Sequence, residues 1–212
     1  MKRPHFVVLV PVKDPDVGKS RLHVPEHLRP GLASAFALDT VHAAREAAVV
    51  AEVVVVTGDP GFAEVVAELG FACIDDVVGG LNASLMSAAP SVRERHPDAR
   101  PVALCADLPC LRPADLMTAL GAVDALPNDA AAYVADTDGT GTTFYTAPYD
   151  AFDPRFGHGS AAAHADAGAL AILGDLPTLR RDVDDETSLA VALRLGVGRF
   201  TQDVVSVLGA GA

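Results

Sequence analysis

The run Phe6-Val7-Val8-Leu9-Val10 has no polar face. A strand exposed on one side alternates apolar with polar residues. An unbroken, largely β-branched run instead fits a strand covered on both faces, as in a parallel sheet flanked by helices. The same signal recurs at Val53-Val54-Val55-Val56, Phe71-Ala72-Cys73-Ile74 and Val102-Ala103-Leu104-Cys105-Ala106. Helical stretches separate these runs. Residues 32–50 offer Phe36 and several alanines as an apolar stripe. Residues 62–69 are stopped by Gly70, Asn82 is suited to cap the next helix, and Pro113 opens another that runs to about Leu126. Strands alternating with helices at this spacing predict a three-layer α/β/α sandwich with a mostly parallel sheet. Beyond Asp129 the rhythm changes. Strands are expected at 131–135 and 142–146 around the turn 136–141, then a Gly- and Ala-rich segment at 156–173 and a last helix at 188–195. Without a long linker or internal repeat, residues 1–212 are expected to form a single domain.

Composition narrows the function classes. Sixteen Lys and Arg against 28 Asp and Glu give a net charge of −12, which argues against a phosphate-backbone binder. The absence of Trp and only 5% aromatic residues weaken any base-stacking platform. The apolar run 6–12 is too short to span a membrane, contains Pro11 and lacks a signal-cleavage site, so a cytoplasmic chain with no membrane or nucleic-acid partner is expected. Cys73, Cys105 and Cys110, odd in number and without CxxC spacing, read as reduced and mostly buried thiols.

In an open parallel α/β sheet, ligands bind beyond the carboxyl ends of the strands. The first such loop gathers Lys13, Lys19 and Arg21. This cluster suits an anionic ligand, with Lys as a point charge and Arg as a fork, although a solvated charged turn has the same composition. It is not a Walker loop. The GxxxxGKS pattern needs Gly at position 13, where Lys stands, and Pro15, Pro25 and Pro30 break the loop and the helix that should follow. Asp107 emerges at a strand tip, where it serves either as a turn former or as a ligand for Mg²⁺, a hard ion whose shell waters and phosphates complete. Along an extended segment Asp182 and Asp184 point to one side, while Asp185 and Glu186 suit the cap and first turn of a helix. Gly157 and Gly159 before Ser160 would let backbone N–H groups approach an anion; a glycine turn capped by Ser160 is the alternative. His158 and His164 lack the spacing of a helical zinc pair, and no GxSxG elbow is present.

Taken in order, these segments resemble a family. They are Val10-Pro11-Val12-Lys13 with Gly18-Lys19-Ser20-Arg21-Leu22, Gly80-Leu81-Asn82, Ala106-Asp107-Leu108-Pro109, Gly139-Thr140-Gly141-Thr142, Phe156-Gly157-His158-Gly159-Ser160 with His164, and Arg181-Asp182-Val183-Asp184. The set resembles the guanylyltransferases of coenzyme F420 biosynthesis, within the MobA-like nucleotidyltransferase fold, and it spans nearly the whole chain. The resemblance implies transfer of GMP from GTP to a small phosphorylated three-carbon acid with release of pyrophosphate. The abundance of Ala, Arg, Val and Gly is compatible with a GC-rich genome, and by that association the resemblance implies the bacterial phosphoenolpyruvate member of the family, with 2-phospho-L-lactate as the alternative acid. The resemblance also implies that Thr142, Gly157 and Ser160 hold the acceptor. Lys13, Lys19 and Arg21 would face the triphosphate and act with Asp107 in catalysis, and Gly80 and Asn82 would lie near the nucleoside. Asp107 and Asp182 would bind Mg²⁺, with Asp184 competing for the second place. Thr143 departs from the Asn common in the family. A homodimer is compatible with this reading. A nucleotide-binding module without turnover is the alternative class, and it would have no need of the Asp107–Asp182 pair.

Overall fold

A computed structural model describes residues 5–13, 29–76 and 79–210. Its strands are β1 (Phe6–Val12), β2 (Val50–Thr57), β3 (Ala72–Asp75), β4 (Arg100–Leu104), β5 (Ala132–Ala135), β6 (Thr142–Thr146) and β7 (Leu170–Ala171). They form one sheet in the order β3-β2-β1-β4-β6-β5-β7. β1 pairs in parallel with β2 and β4, β2 with β3, and β5 with β7. β6 runs antiparallel to both β4 and β5, the one reversal among the described strands. The helices are α1 (Arg29–Arg45), α2 (Pro60–Glu68), α3 (Leu81–Arg95), α4 (Pro113–Val123), α5 (Ser160–Asp166), α6 (Glu186–Leu195) and α7 (Arg199–Ala210).

The apolar run that announced the fold is buried along its whole length. Phe6, Val8, Val10 and Val12 of β1 pack with Leu38 of α1, Val66 of α2 and Leu116 of α4. Val7 and Leu9 point the other way, against Leu85 and Val92 of α3. Each fully buried Val or Leu contributes roughly 1.5–3 kcal/mol relative to exposure, so a strand that buries both faces cannot present a polar one. A third cluster seals α6 and α7 onto α1 through Phe36, Cys110, Val183 and Leu189.

The structure bears out the sandwich and moves several boundaries. α1 ends at Arg45 and β2 begins at Val50, so the helix expected through 50 stops one turn early. β1 continues through Pro11, which lies past the last β1–β4 pair, Leu9 with Ala103, where the missing N–H interrupts no bond to β4. Asn82 is not the cap of α3. Gly80, at φ 87°, holds that position, and Asn82 lies inside the first turn with its side chain turned elsewhere. Ser160 likewise begins α5 behind a left-handed Gly159. Pro60 opens α2 with Asp59 as its cap, the side chain accepting from the Gly61 and Phe62 amides. α7 lies beyond the last helix that the sequence pattern predicts. Of the three free cysteines Cys110 is buried, and Cys73 and Cys105 are partly buried against the core. No helix of the described residues is long and apolar enough to cross a membrane.

Candidate active site

The strand order places β1 beside β4, with β2 and β3 on one side and the later strands on the other. This is a topological switch point, where loops at the carboxyl ends diverge and leave a crevice. A cavity of about 680 Å³ lies there, within the range of small-molecule sites. Reversal of β6 brings its first residue, Thr142, to the same edge as the carboxyl ends of β1, β4 and β5. Lys13, Asp107, Thr142, Gly157, Ser160 and Asp182 all line this cavity. Six positions singled out in the sequence are thus brought together from across the chain.

Backbone bonds hold the acidic segments in place. The Val183 amide donates to the Asp107 carbonyl at 3.0 Å, and the Val183 side chain is fully buried. Alternation about Val183 sends Asp182 and Asp184 toward Asp107. One carboxylate oxygen from each of the three lies within 4.8 Å of the others. Asp182 and Asp184 both belong to the cluster. Burial first, and then the charges of Asp107, Asp184 and Asp136, push the Asp182 carboxyl up to about 7. Three carboxylates without a nitrogen or sulfur ligand among them form an oxygen donor set for a hard divalent cation.

Asp136 is more than the turn residue its sequence context suggests. It accepts from the amides of Thr140 at 3.0 Å and Gly141 at 2.7 Å, which shapes the loop leading into Thr142. Arg181 also lines the cavity, and its Nε is buried without a hydrogen-bond partner among the described residues. The cue for both was position, near Thr142 in one case and next to Asp182 in the other.

The glycine segment is tethered from the side. Asn82 donates from Nδ2 to the Phe156 carbonyl at 2.9 Å and accepts the Phe156 amide at 2.8 Å. Its amide is therefore engaged with the loop that carries Gly157, and neither Asn82 nor Gly80 lines the cavity, although Leu81 does. Gly157 takes φ 137°, a conformation open to glycine. Thr143 is fully buried in β6 and stays off the cavity wall. Lys19 and Arg21 lie outside the described residues.

Solved structures share this architecture at low identity. A nucleotidyl transferase from Methanothermobacter matches with a TM-score of 0.61 at 16% identity, covering 90% of this chain and 97% of that one. A CMP:2-keto-3-deoxy-manno-octonic acid synthetase solved with CTP matches at 0.57 and 17%, covering 90% and 98%. A Mycobacterium tuberculosis protein solved in complex with manganese matches at 0.54 and 20%, covering 90% and 98%. The fold is one that known nucleotidyltransferases adopt.

No family model matches the chain. Curated relatives are much nearer. The phosphoenolpyruvate guanylyltransferase of Salinispora arenicola is 46% identical over 200 residues, 92% of this chain and 91% of the relative. Those of Streptomyces avermitilis, at 44% over 92% of both chains, and Nocardia farcinica, at 39% over 98% and 94%, carry the same name. The chain belongs to the phosphoenolpyruvate guanylyltransferase family.

Proposed function

We propose that this chain joins GMP from GTP to phosphoenolpyruvate, giving enolpyruvyl-diphospho-guanosine and pyrophosphate, with Mg²⁺ at Asp107, Asp182 and Asp184. The observation that carries the reading is the carboxylate triad in the cleft. A binding module has no use for three mutually repelling carboxylates, whereas a reaction between two polyanions needs the cation they would hold. When bound, that ion supplies charge neutralisation between the two phosphate groups.

The remaining work falls to the chain itself. A phosphate oxygen of the acceptor attacks the α-phosphorus of GTP, a new P–O bond forms, and the bond to the β-phosphate breaks with pyrophosphate leaving. The acceptor phosphate is ionised near neutrality, so no general base is needed, and catalysis is positioning plus electrostatics. Lys13, exposed just after β1 and lining the cavity, stabilises charge on the triphosphate, joined by Lys19 and Arg21 a few residues further along the sequence. Thr142, Gly157 and Ser160 hold the acceptor. Leu81 borders the nucleoside, Gly80 sets the start of the helix that carries it, and Asn82 acts through the loop it clamps.

The test is direct. The purified protein with Mg²⁺ and each nucleoside triphosphate is offered phosphoenolpyruvate, 2-phospho-L-lactate or 3-phosphoglycerate, and pyrophosphate and the nucleotidyl product are measured. GTP with phosphoenolpyruvate is expected to be the productive pair. Turnover confined to another acid overturns the acceptor assignment, and no pyrophosphate from any pair overturns the enzyme.

A further inference from the structure

His164 is fully buried within 3.1 Å of the Thr142 hydroxyl, and its chemistry bears on what that hydroxyl can do. The ring stacks on Tyr145 at 4.6 Å between centroids, faces Tyr133 at 5.8 Å and meets the edge of Phe156 at 5.7 Å. Its Nε2 receives the backbone N–H of Arg155 at 2.9 Å. An amide is only a donor, so Nε2 must carry the lone pair and the neutral ring must carry its hydrogen on Nδ1. Nδ1–H then points to Thr142 Oγ1, with the Ser160 carbonyl as a second acceptor beside it. The hydroxyl cannot give its own hydrogen back to the ring. Thr142 lines the cavity, and no other acceptor for that hydrogen is found among the described residues.

We propose that His164 is a positioning residue that fixes Thr142 as a hydrogen-bond donor into the cleft, so that the ligand must place a carboxylate or phosphate oxygen there. The chain of donors runs in one direction: Arg155 amide to His164, His164 to Thr142, Thr142 to the acceptor. Burial lowers the imidazole pKa to about 4 against the opposing backbone bond with Ser160, with the Arg155 charge adding to the lowering, so the ring stays neutral over the range in which the enzyme would work. The inference rests on the reading that Thr142 contacts the acceptor. It adds the polarity of that contact and the residue that sets it.

Two measurements test it. The first needs no substrate: ¹⁵N NMR of histidine-labelled protein reads the tautomer of His164, and the Nδ1–H form is expected. The Nε2–H form overturns the proposal. The second is kinetic. His164→Gln can still accept the Arg155 amide but loses the donor to Thr142. It should raise KM for phosphoenolpyruvate about tenfold, the loss of one hydrogen bond to an anion, and leave KM for GTP within about twofold. His164→Asn, whose amide can occupy the Nδ1 position, should recover part of that loss. Thr142→Val should match His164→Gln, and the double variant should be no worse than Thr142→Val alone. Equal rises in both KM values, or additive effects, overturn the proposal. If His164→Gln does not fold, the tautomer and Thr142→Val against Thr142→Ser still decide: Ser keeps the donor and should keep the acceptor KM, and an equal rise in Ser and Val overturns the inference. Failure of the reaction itself shows separately, as wild-type protein that releases no pyrophosphate from GTP with phosphoenolpyruvate, and that result overturns both readings.

Discussion

Asp182 is a side chain whose ionised form is held against stability. Its carboxyl, raised to about 7 by burial and by Asp107 and Asp184, would titrate near 3.8 when free. A raised pKa means that the folded state holds the proton more tightly than the unfolded state. The associated stability is full below pH 4 and is lost as pH rises through 7. At about 1.4 kcal/mol per unit, the metal-free protein above pH 7 forgoes at most roughly 4 kcal/mol. Asp182→Asn should therefore raise the melting temperature of metal-free protein at pH 8 while reducing turnover at least about a hundredfold; lower stability together with lost turnover would contradict the repulsion argument. His164 has the opposite sign. Its pKa of about 4 lies below the ordinary 6.5, so its contribution is present above pH 6.5 and lost as pH falls toward 4. Denaturant unfolding between pH 7 and pH 4 should show wild type losing up to about 3 kcal/mol more than His164→Gln, with the difference absent above pH 7.

At the scale of elements, helix ends show where local sequence suffices and where it does not. Asp185 caps α6 through a box with Ser188, its side chain accepting the Ser188 amide at 2.8 Å, and both partners lie within four residues of each other. That cap was legible from Asp185 and Glu186 ahead of an apolar run. The start of α7 was not. Its Phe200 and Thr201 amides, at 3.0 and 2.9 Å, donate to Asp39, a buried carboxylate on α1 about 160 residues away. The apolar spacing Phe200, Val204, Val205 is helical and was the available signal, weakened by β-branched residues that suit strands equally well. Asn82 failed in the reverse sense. A good local capping residue was used instead to grip Phe156, and Gly80, with no side chain to offer, took the cap. Tertiary demands overrode propensity in both cases. Asp39→Ala leaves two amides of a helix start without their acceptor and should cost about 2–3 kcal/mol, measured by chemical denaturation. Because Asp39 does not line the cavity, activity per folded molecule should remain within about twofold of wild type.

On the scale of the whole molecule, the sheet was readable because β1 and the Val53–Val56 part of β2 run apolar without a break, and segments of that β-branched content suit strands covered on both faces. The reversal of β6 was not readable, since Thr142–Thr146 carries no mark of direction. That reversal is what brings Thr142 beside Asp107 and Asp182. Single residues in the site were ambiguous alone: Asp107 also suits a turn, and Ser160 a cap. Their order along the chain, seen as a family resemblance, singled out the set, and the fold supplied the distances. The net charge of −12 then acquires a consequence. An acidic molecule whose cleft holds three close carboxylates repels phosphorylated ligands until a cation is bound, so metal and nucleotide should stabilise it jointly. At a hundred times its dissociation constant a ligand adds about 2.7 kcal/mol. For a chain of this size that is roughly 5–11 °C in melting temperature. Mg²⁺ with GTP should raise Tm by that amount, GTP in the presence of a chelator by much less, and neither addition should restore the full shift in Asp107→Asn. A full shift with GTP and chelator would mean that Lys13 and its neighbouring cations bind the nucleotide unaided, and would remove the triad from nucleotide binding.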